Sequence, residues 1–435
     1  MFIFGKLWIA FLAAGMLVLG LQPVYFAAMA NLNRVISHEA TWEHVRDAFN
    51  AGVLETSYHS RNQYIDSGDR FTDCYSLGVG LEPGVGSAVA GITASRPASD
   101  RHACDDLKDA AENPNGVTWN RYARYWHGYR LYSAPLASAF PIVAVKLINL
   151  LLLVTTSILL FNQGVRLVGT APMVGLFAPV LFCSDYVRIW HVTPHTVSTL
   201  VIVGGSALFA LAVYRKAPPA ALIVLSAAFG SIFNFVDFLV NPPWMPMLLA
   251  FFVMAAPEPT DLRKKAAIAL LCASIWFGAY ALTWFAKWVS AYLVDPAFDI
   301  KSDVLSTMTF RIVGDDVKVM HFPLVATLKM LLTCVTSWGF PLAALFLVVV
   351  AKTLRGRKLD RKLFFYQAWP VLIPVLWFET LSSHSQMHAF FVARSAAAAL
   401  GVVLASLLIH ANATYSGIIF PIKRSFTRSV SEPTM

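Results

Sequence analysis

Charge is scarce in this chain: Asp, Glu, Lys and Arg make up 14% of its 435 residues, well below the roughly 25% of an ordinary soluble domain. A soluble globular enzyme of this length is thereby excluded. Cysteine is scarce too, with five residues, and neither a CxxC nor an HExxH spacing occurs, so no zinc site is specified. Missing as well is any basic patch interleaved with aromatics that would form a soluble nucleic-acid-binding module. The net charge of +9 therefore needs another explanation.

What fills the chain is apolar surface. Hydrophobic residues account for 57% and the mean hydropathy is +0.60, values of an integral membrane protein. About ten apolar segments are predicted as helical spans: Leu7 to Ala27, Ala139 to Phe161, Val168 to Cys183, Val197 to Val213, Ala220 to Phe235, Met245 to Ala256, Ala266 to Phe285, Leu324 to Val350, Phe364 to Phe378 and Ala396 to His410. Two of them, Ala220 to Phe235 and Met245 to Ala256, are short enough to suggest a broken or re-entrant pair. Ala28, Met29 and Ala30 have the look of a signal cleavage site, but the apolar run before them is long for a signal peptide and is read as a retained helix.

The basic residues explain the net charge. Arg166, Arg215 with Lys216, Arg263 to Lys265, Lys352 to Lys362, and Lys423 to Arg428 all fall on alternate loops, which places both termini on the cytoplasmic side. The organisation that follows is a first span over 1–30, an outer loop over 31–138, a helical bundle over 139–412 and a basic tail over 413–435. Within the outer loop, Arg34 to Phe49 is expected as a helix lying along the membrane surface, and Gly78 to Ala98 as irregular connection. The loop has too few apolar residues for a separate enzyme domain and is expected to pack over the helices.

The chemically unusual residues lie on the outer side. In IDSGDRFTDCY, Asp66, Asp69 and Asp73 are either turn-capping carboxylates or a general base or metal ligand for an acceptor hydroxyl. In NRYARYWHGY, Arg121, Arg124 and His127 alternate with Tyr122, Tyr125, Trp126 and Tyr129, which suits an interfacial aromatic belt or a sugar-phosphate platform. SDYVRIWHVTPH supplies Asp185, Arg188, His191 and His195, and FNFVDFLVNPPW supplies Asn234 and Asp237. Lys287 stands among aromatics in WFAKW. SSHSQMHAFFVAR carries His384 and His388 on one helical face and Arg394 a few residues on, a set suited to a lipid-linked phosphate; as a metal pair it lacks a third ligand. Cys74 and Cys104 also lie in the outer loop, where an oxidising exterior would let them pair, while Cys183, Cys272 and Cys334 read as buried apolar residues.

RYWHGY entering a span, GAYALTWFAKW around Lys287, SHSQMHAFFVAR before the last span and FTD at Phe71 to Asp73 resemble motifs of a broad family of bacterial polytopic membrane proteins that is similar to the GT-C glycosyltransferases. The resemblance covers scattered pieces from Asp69 to Arg394. It implies an all-α integral membrane fold of about ten spans with a large first outer loop, and an active site at the outer face of the bacterial cytoplasmic membrane. It further implies sugar transfer from a polyprenyl-phosphate donor to a glycan, lipid-linked saccharide or protein acceptor. Asp73 or Asp69 would be the base; Arg124, Tyr125, Trp126, His127, Lys287, His384, His388 and Arg394 would surround the donor, with Asp185, Arg188, His191 and Asp237 as secondary candidates. The chain departs from the family in RLYSAPLASAF after RYWHGY and in lacking a paired-acid motif just after the first span. No cofactor is specified, and a divalent cation stays open. A lipid-sugar flippase would need polar residues through to the cytoplasmic side, where mid-span charges are few; a polysaccharide polymerase or ligase would share the outer site.

Overall fold

The computed structural model describes residues 2–54, 69–99, 101–257, 261–314, 319–337, 339–356 and 360–413. Asp66 and the basic tail lie outside these residues. The described chain is all-helical apart from one two-residue pairing of Arg96–Pro97 with Trp119–Asn120.

In chain order the helices are α1 (Phe2–Leu32), α2 (His38–Asn50), α3 (Arg70–Leu77), α4 (Ser87–Thr93), α5 (Ala103–Glu112), α6 (Arg130–Ala139), α7 (Ile142–Val168), α8 (Thr170–Phe182) and, after a 3-10 turn over Tyr186–His191, α9 (Thr193–Tyr214). The second half contains α10 (Pro219–Val236), α11 (Trp244–Ala255), α12 (Leu262–Val294), α13 (Ile300–Ile312), α14 (Val325–Val335), α15 (Phe340–Leu354), α16 (Arg361–Ala368), α17 (Leu372–Thr380), α18 (Ser382–Met387) and α19 (Ala389–Ala413). Among the described residues six helices are long and apolar enough to cross a membrane, and a bent pair makes up to seven. They are the signature of a multi-pass membrane protein. Two further apolar helices, α8 and α11, are shorter.

Helix ends follow local chemistry. Ser37, Asp69, Asp261, Asp299 and Asp360 each cap a helix by accepting a backbone N–H two or three residues on. Gly169, with φ of 90°, separates α7 from α8 in a conformation that favours glycine.

The predicted broken pair falls elsewhere. Pro219–Val236 is a continuous helix, whereas the stretch predicted as one span over Leu324 to Val350 is two helices, α14 and α15, bent by 94°. Two contacts hold the bend against the end of α8: Ser337 Oγ donates to Phe182 O at 3.0 Å, and a Cβ on Gly339 would lie 2.3 Å from that same oxygen. Phe364 to Phe378 is likewise interrupted, by a 3-10 turn at Trp369–Val371.

The described part of 31–138 is more structured than its composition suggests. The stretch from Gly78 to Ala98 contains α4, which packs so closely on α1 that a Cβ on Gly91 would come within 2.0 Å of Met29 O. Helix α2 buries Thr41, Trp42, Val45 and Ala48, and the last three share a cluster with Leu107 and Ala111 of α5 and Ala137 of α6. Its apolar face is therefore turned into the loop, not laid on lipid. The same cluster includes Tyr25, Met29, Val197, Phe235 and Ala291 from the bundle, so loop and helices share one core. Cys74 and Cys104 form a disulfide that ties α3 to α5; Cys183, Cys272 and Cys334 are buried thiols.

Candidate functional site

The acidic pair lies at the start of α3. Asp69 caps this helix: its Oδ1 accepts from Thr72 N at 3.1 Å and its Oδ2 from Thr72 Oγ1. Burial pushes the Asp69 carboxyl up to about 6, against the Thr72 hydrogen bonds and the Arg394 charge, which favour the anion. One turn on, Asp73 Oδ2 meets Lys146 Nζ at 2.9 Å, and its Oδ1 accepts from Thr193 N, at the start of α9, at 3.2 Å. The two carboxylates share the helix but have different partners.

Behind Asp69 runs a buried chain of polar groups from three segments. Arg394 donates to Asp185 through Nε at 2.6 Å and Nη2 at 2.5 Å, a bidentate fork that only a guanidinium makes. Its Nη2 also donates to His195 Nδ1 at 3.2 Å, which puts the ring proton on Nε2. That nitrogen faces Asp69 Oδ2 at 3.8 Å, beyond hydrogen-bond length. Asp185, Arg394, His195 and Asp69 thus form one line from the loop before α9 to the acidic helix.

The RYWHGY motif is used for packing. Arg124 pairs with Asp303 on α13 at 2.9 Å and lies over the Tyr122 ring, while its carbonyl accepts from Trp284 Nε1 at 2.7 Å. Trp126 Nε1 donates to Thr283 O at 2.8 Å. Lys287 Nζ donates to Ile92 O of α4 and lies 5.4 Å from the Trp126 ring, so it joins α12 to α4. His127 has φ of 56° and donates from Nε2 to Tyr122 O at 3.0 Å. Burial, with Lys287 next, holds that imidazole well below its usual range. Gly128 N donates to Phe235 O at 2.8 Å, and a Cβ there would stand 2.5 Å from that oxygen. A side chain at this position would break the contact.

The late motif is also anchored. His384 donates from Nε2 to Leu239 O at 3.0 Å, and its ring centre lies 4.8 Å from that of His388. Burial first and Arg311 second keep both neutral, His388 down to about 4. Asp237 closes the turn after α10, accepting from Ser198 Oγ at 2.9 Å, Leu239 N at 2.8 Å and Val240 N at 3.1 Å. Burial pushes its carboxyl up to about 6 against those bonds. Among the described residues no three His, Cys, Asp or Glu side chains come together as a metal ligand set.

Two phenylalanines connect these pieces. Phe238 touches the rings of Tyr125, His127, Tyr129 and His195, and Phe391 touches His195, His384 and His388. The structure thus brings Asp69, Tyr125, His127, Asp185, His195, Asp237, His384, His388 and Arg394 to one end of the bundle. Within this region several buried atoms have no hydrogen-bond partner among the described residues: Tyr125 OH, His384 Nδ1, Arg311 Nη1 and Arg394 Nη1. Of the cations, Arg124 pairs with Asp303, Lys287 with the Ile92 carbonyl and Arg394 with Asp185.

Asp73 opens instead onto a cavity of about 370 Å³, lined by Gly52 to Leu54, Val143, Lys146, Leu147 and Trp190 to Val192. His191 is in this wall, stacked on Trp190 at 3.6 Å; Arg188 precedes it in the same 3-10 turn. Lys146 and Arg311 were not singled out in the sequence. A lone lysine one turn into an apolar span was the available signal for the first; nothing in the polar run around α13 marks the second. No protein-family model matches the chain, and no curated protein or solved structure is significantly similar to it.

Proposed function

We propose that this protein is a GT-C-type glycosyltransferase of the bacterial cytoplasmic membrane, moving a sugar from a polyprenyl-phosphate donor to an acceptor at the extracytoplasmic face. The observation that carries the reading is Asp73: a buried carboxylate on the wall of a cavity, beside a helix whose apolar side chains Leu147 and Leu151 are exposed. In the proposed step the acceptor oxygen bonds to the sugar C1, the C1–O bond to phosphate breaks, and Asp73 takes the acceptor proton. The polyprenyl phosphate leaves and its chain stays in lipid. Asp69, His195, Arg394 and Asp185 are assigned as positioning residues that fix α3 against the bundle, because none of them lines the cavity.

Ten crossings are part of the proposal: the six long helices, α8, α11, the bent pair, and the string α16 to α17. The Cys74–Cys104 disulfide supports an outer position for the acidic loop, since disulfides persist on the oxidising side of a membrane. Exposed Arg166, Arg215, Arg263 and Lys264 at the ends of other loops support the cytoplasmic assignment of the opposite face. The proposal is tested by Asp73→Asn in membranes supplied with polyprenyl-phosphate sugar. Transfer should fall at least about 100-fold, the scale of a lost general base, at unchanged expression; undiminished transfer would remove Asp73 from the mechanism.

A further inference from the structure

Lys146 stands one turn into α7, within IVAVKLINLLLL, where a cation is costly unless paired or used. It is 8% exposed, and its partner among the described residues is Asp73 at 2.9 Å. An ammonium has three N–H donors, so this one keeps donors to spare. A purely structural pair needs no open space at its side, yet this one borders the cavity of about 370 Å³. The wall is divided: Asp73, Lys146 and His191 are polar, and Val143, Leu147 and Trp190 are apolar. Val143 and Leu147 also begin an outward stripe that continues through Leu151, Val154 and Ile158, all exposed apolar residues of α7. Their spacing of three and four keeps them on one helix face.

We propose that this cavity seats the anionic head group of a single-chain amphiphile, bound by Lys146 with its chain along the Val143–Leu147–Leu151 stripe, and that binding displaces Asp73 from Lys146. The ligand is an anion, not a cation, because the two partners are unequally held. Asp73 keeps the Thr193 N–H at 3.2 Å and the N-terminal end of α9 when Lys146 is drawn away. Lys146 has no such second partner among the described residues. Binding of the head group and release of Asp73 are then one event, so a base tied up in an ion pair is freed only when the ligand is present. The prenyl identity of the chain rests on the proposed function; the head-group site does not.

The test uses the full chain in phosphatidylcholine nanodiscs, with citronellyl phosphate, citronellol and inorganic phosphate as probes in equilibrium dialysis. Citronellyl phosphate should bind at least tenfold tighter than either fragment. Lys146→Met should weaken it tenfold or more, Lys146→Arg less than threefold, and Asp73→Asn should tighten it threefold or more by removing the competing carboxylate. Unchanged binding by Lys146→Met, or weaker binding by Asp73→Asn, overturns the proposal, and inorganic phosphate binding as tightly as citronellyl phosphate removes the chain stripe from it. Should Lys146→Met fail to fold, Leu147→Cys leaves the pair intact. Citronellyl phosphate should slow maleimide labelling of that cysteine at least fivefold and inorganic phosphate should not; no protection overturns the site. Binding without sugar transfer defeats the enzyme reading alone, while transfer indifferent to Lys146 defeats this inference alone.

Discussion

Arg394 grips Asp185 with two parallel N–H donors, Nε at 2.6 Å and Nη2 at 2.5 Å, joining the start of the last helix to the loop before α9. The arginine is 1% exposed in its side chain and the aspartate 13%, so neither charge is solvated enough to stand alone. Removing one partner leaves the other buried and uncompensated, which costs about 3–5 kcal/mol. Arg394→Met and Asp185→Asn should each lower the melting temperature of the purified protein markedly, while the double variant recovers part of the loss. Arg394→Lys should behave like Arg394→Met, because an ammonium cannot span both carboxylate oxygens. Heat-challenge size-exclusion chromatography reads all four; single variants as stable as the parent would show the fork to be dispensable.

The place of these residues was legible where it followed from helix alternation. Apolar runs put Asp69, Tyr125, Asp185, Asp237 and His384 near the same ends of helices, and in the structure Phe238 meets the Tyr125 and His195 rings while Phe391 meets those of His195 and His384. Their partners were not legible, because pairing is a long-range property. Arg124 reads as a phosphate ligand until Asp303, 179 residues away, is beside it. Lys287 is neutralised in its hydrogen bonding by the carbonyl of Ile92, a group present in every residue and so invisible in sequence. Within RYWHGY, His127 adopts a left-handed backbone and Gly128 lets Phe235 O approach, backbone roles that composition does not display. The bend between α14 and α15 was hidden for a similar cause, since it depends on Phe182 from a distant helix.

The disulfide makes the acidic helix depend on redox state. Cys74 lies on α3 one residue after Asp73, and its bond to Cys104 closes a loop with a sequence separation of 30. A loop of that size is worth about 3–4 kcal/mol on the chain-entropy model. Cys74→Ser with Cys104→Ser should therefore lower the melting temperature and also loosen α3, reducing binding or transfer at Asp73 further than stability alone requires. Maleimide-polymer shifts should detect two additional thiols only after reduction of the denatured parent. If both thiols label without reduction, the loop is not on an oxidising side.

Asp69 should give the protein a defined pH signature. Its carboxyl is pushed up to about 6 by burial from an ordinary value of 3.8, so the folded protein holds this proton more tightly than the unfolded chain does. The resulting stability is fully present below about 3.8 and is lost as pH rises through about 6. Asp237, also raised to about 6, adds to the same window, whereas His388, lowered to about 4, acts in the opposite direction by costing stability as pH falls from its usual 6.5. Comparing Asp69→Asn with the parent at each pH cancels both of these. Asparagine still accepts the Thr72 N–H as a helix cap but carries no charge to bury. The variant should match the parent near pH 4 and gain on it by several degrees in Tm near pH 7.5. A difference that is constant across this range would mean that Asp69 is ionised at little cost in the folded protein, and that His195 at 3.8 Å and Arg394 already compensate its charge.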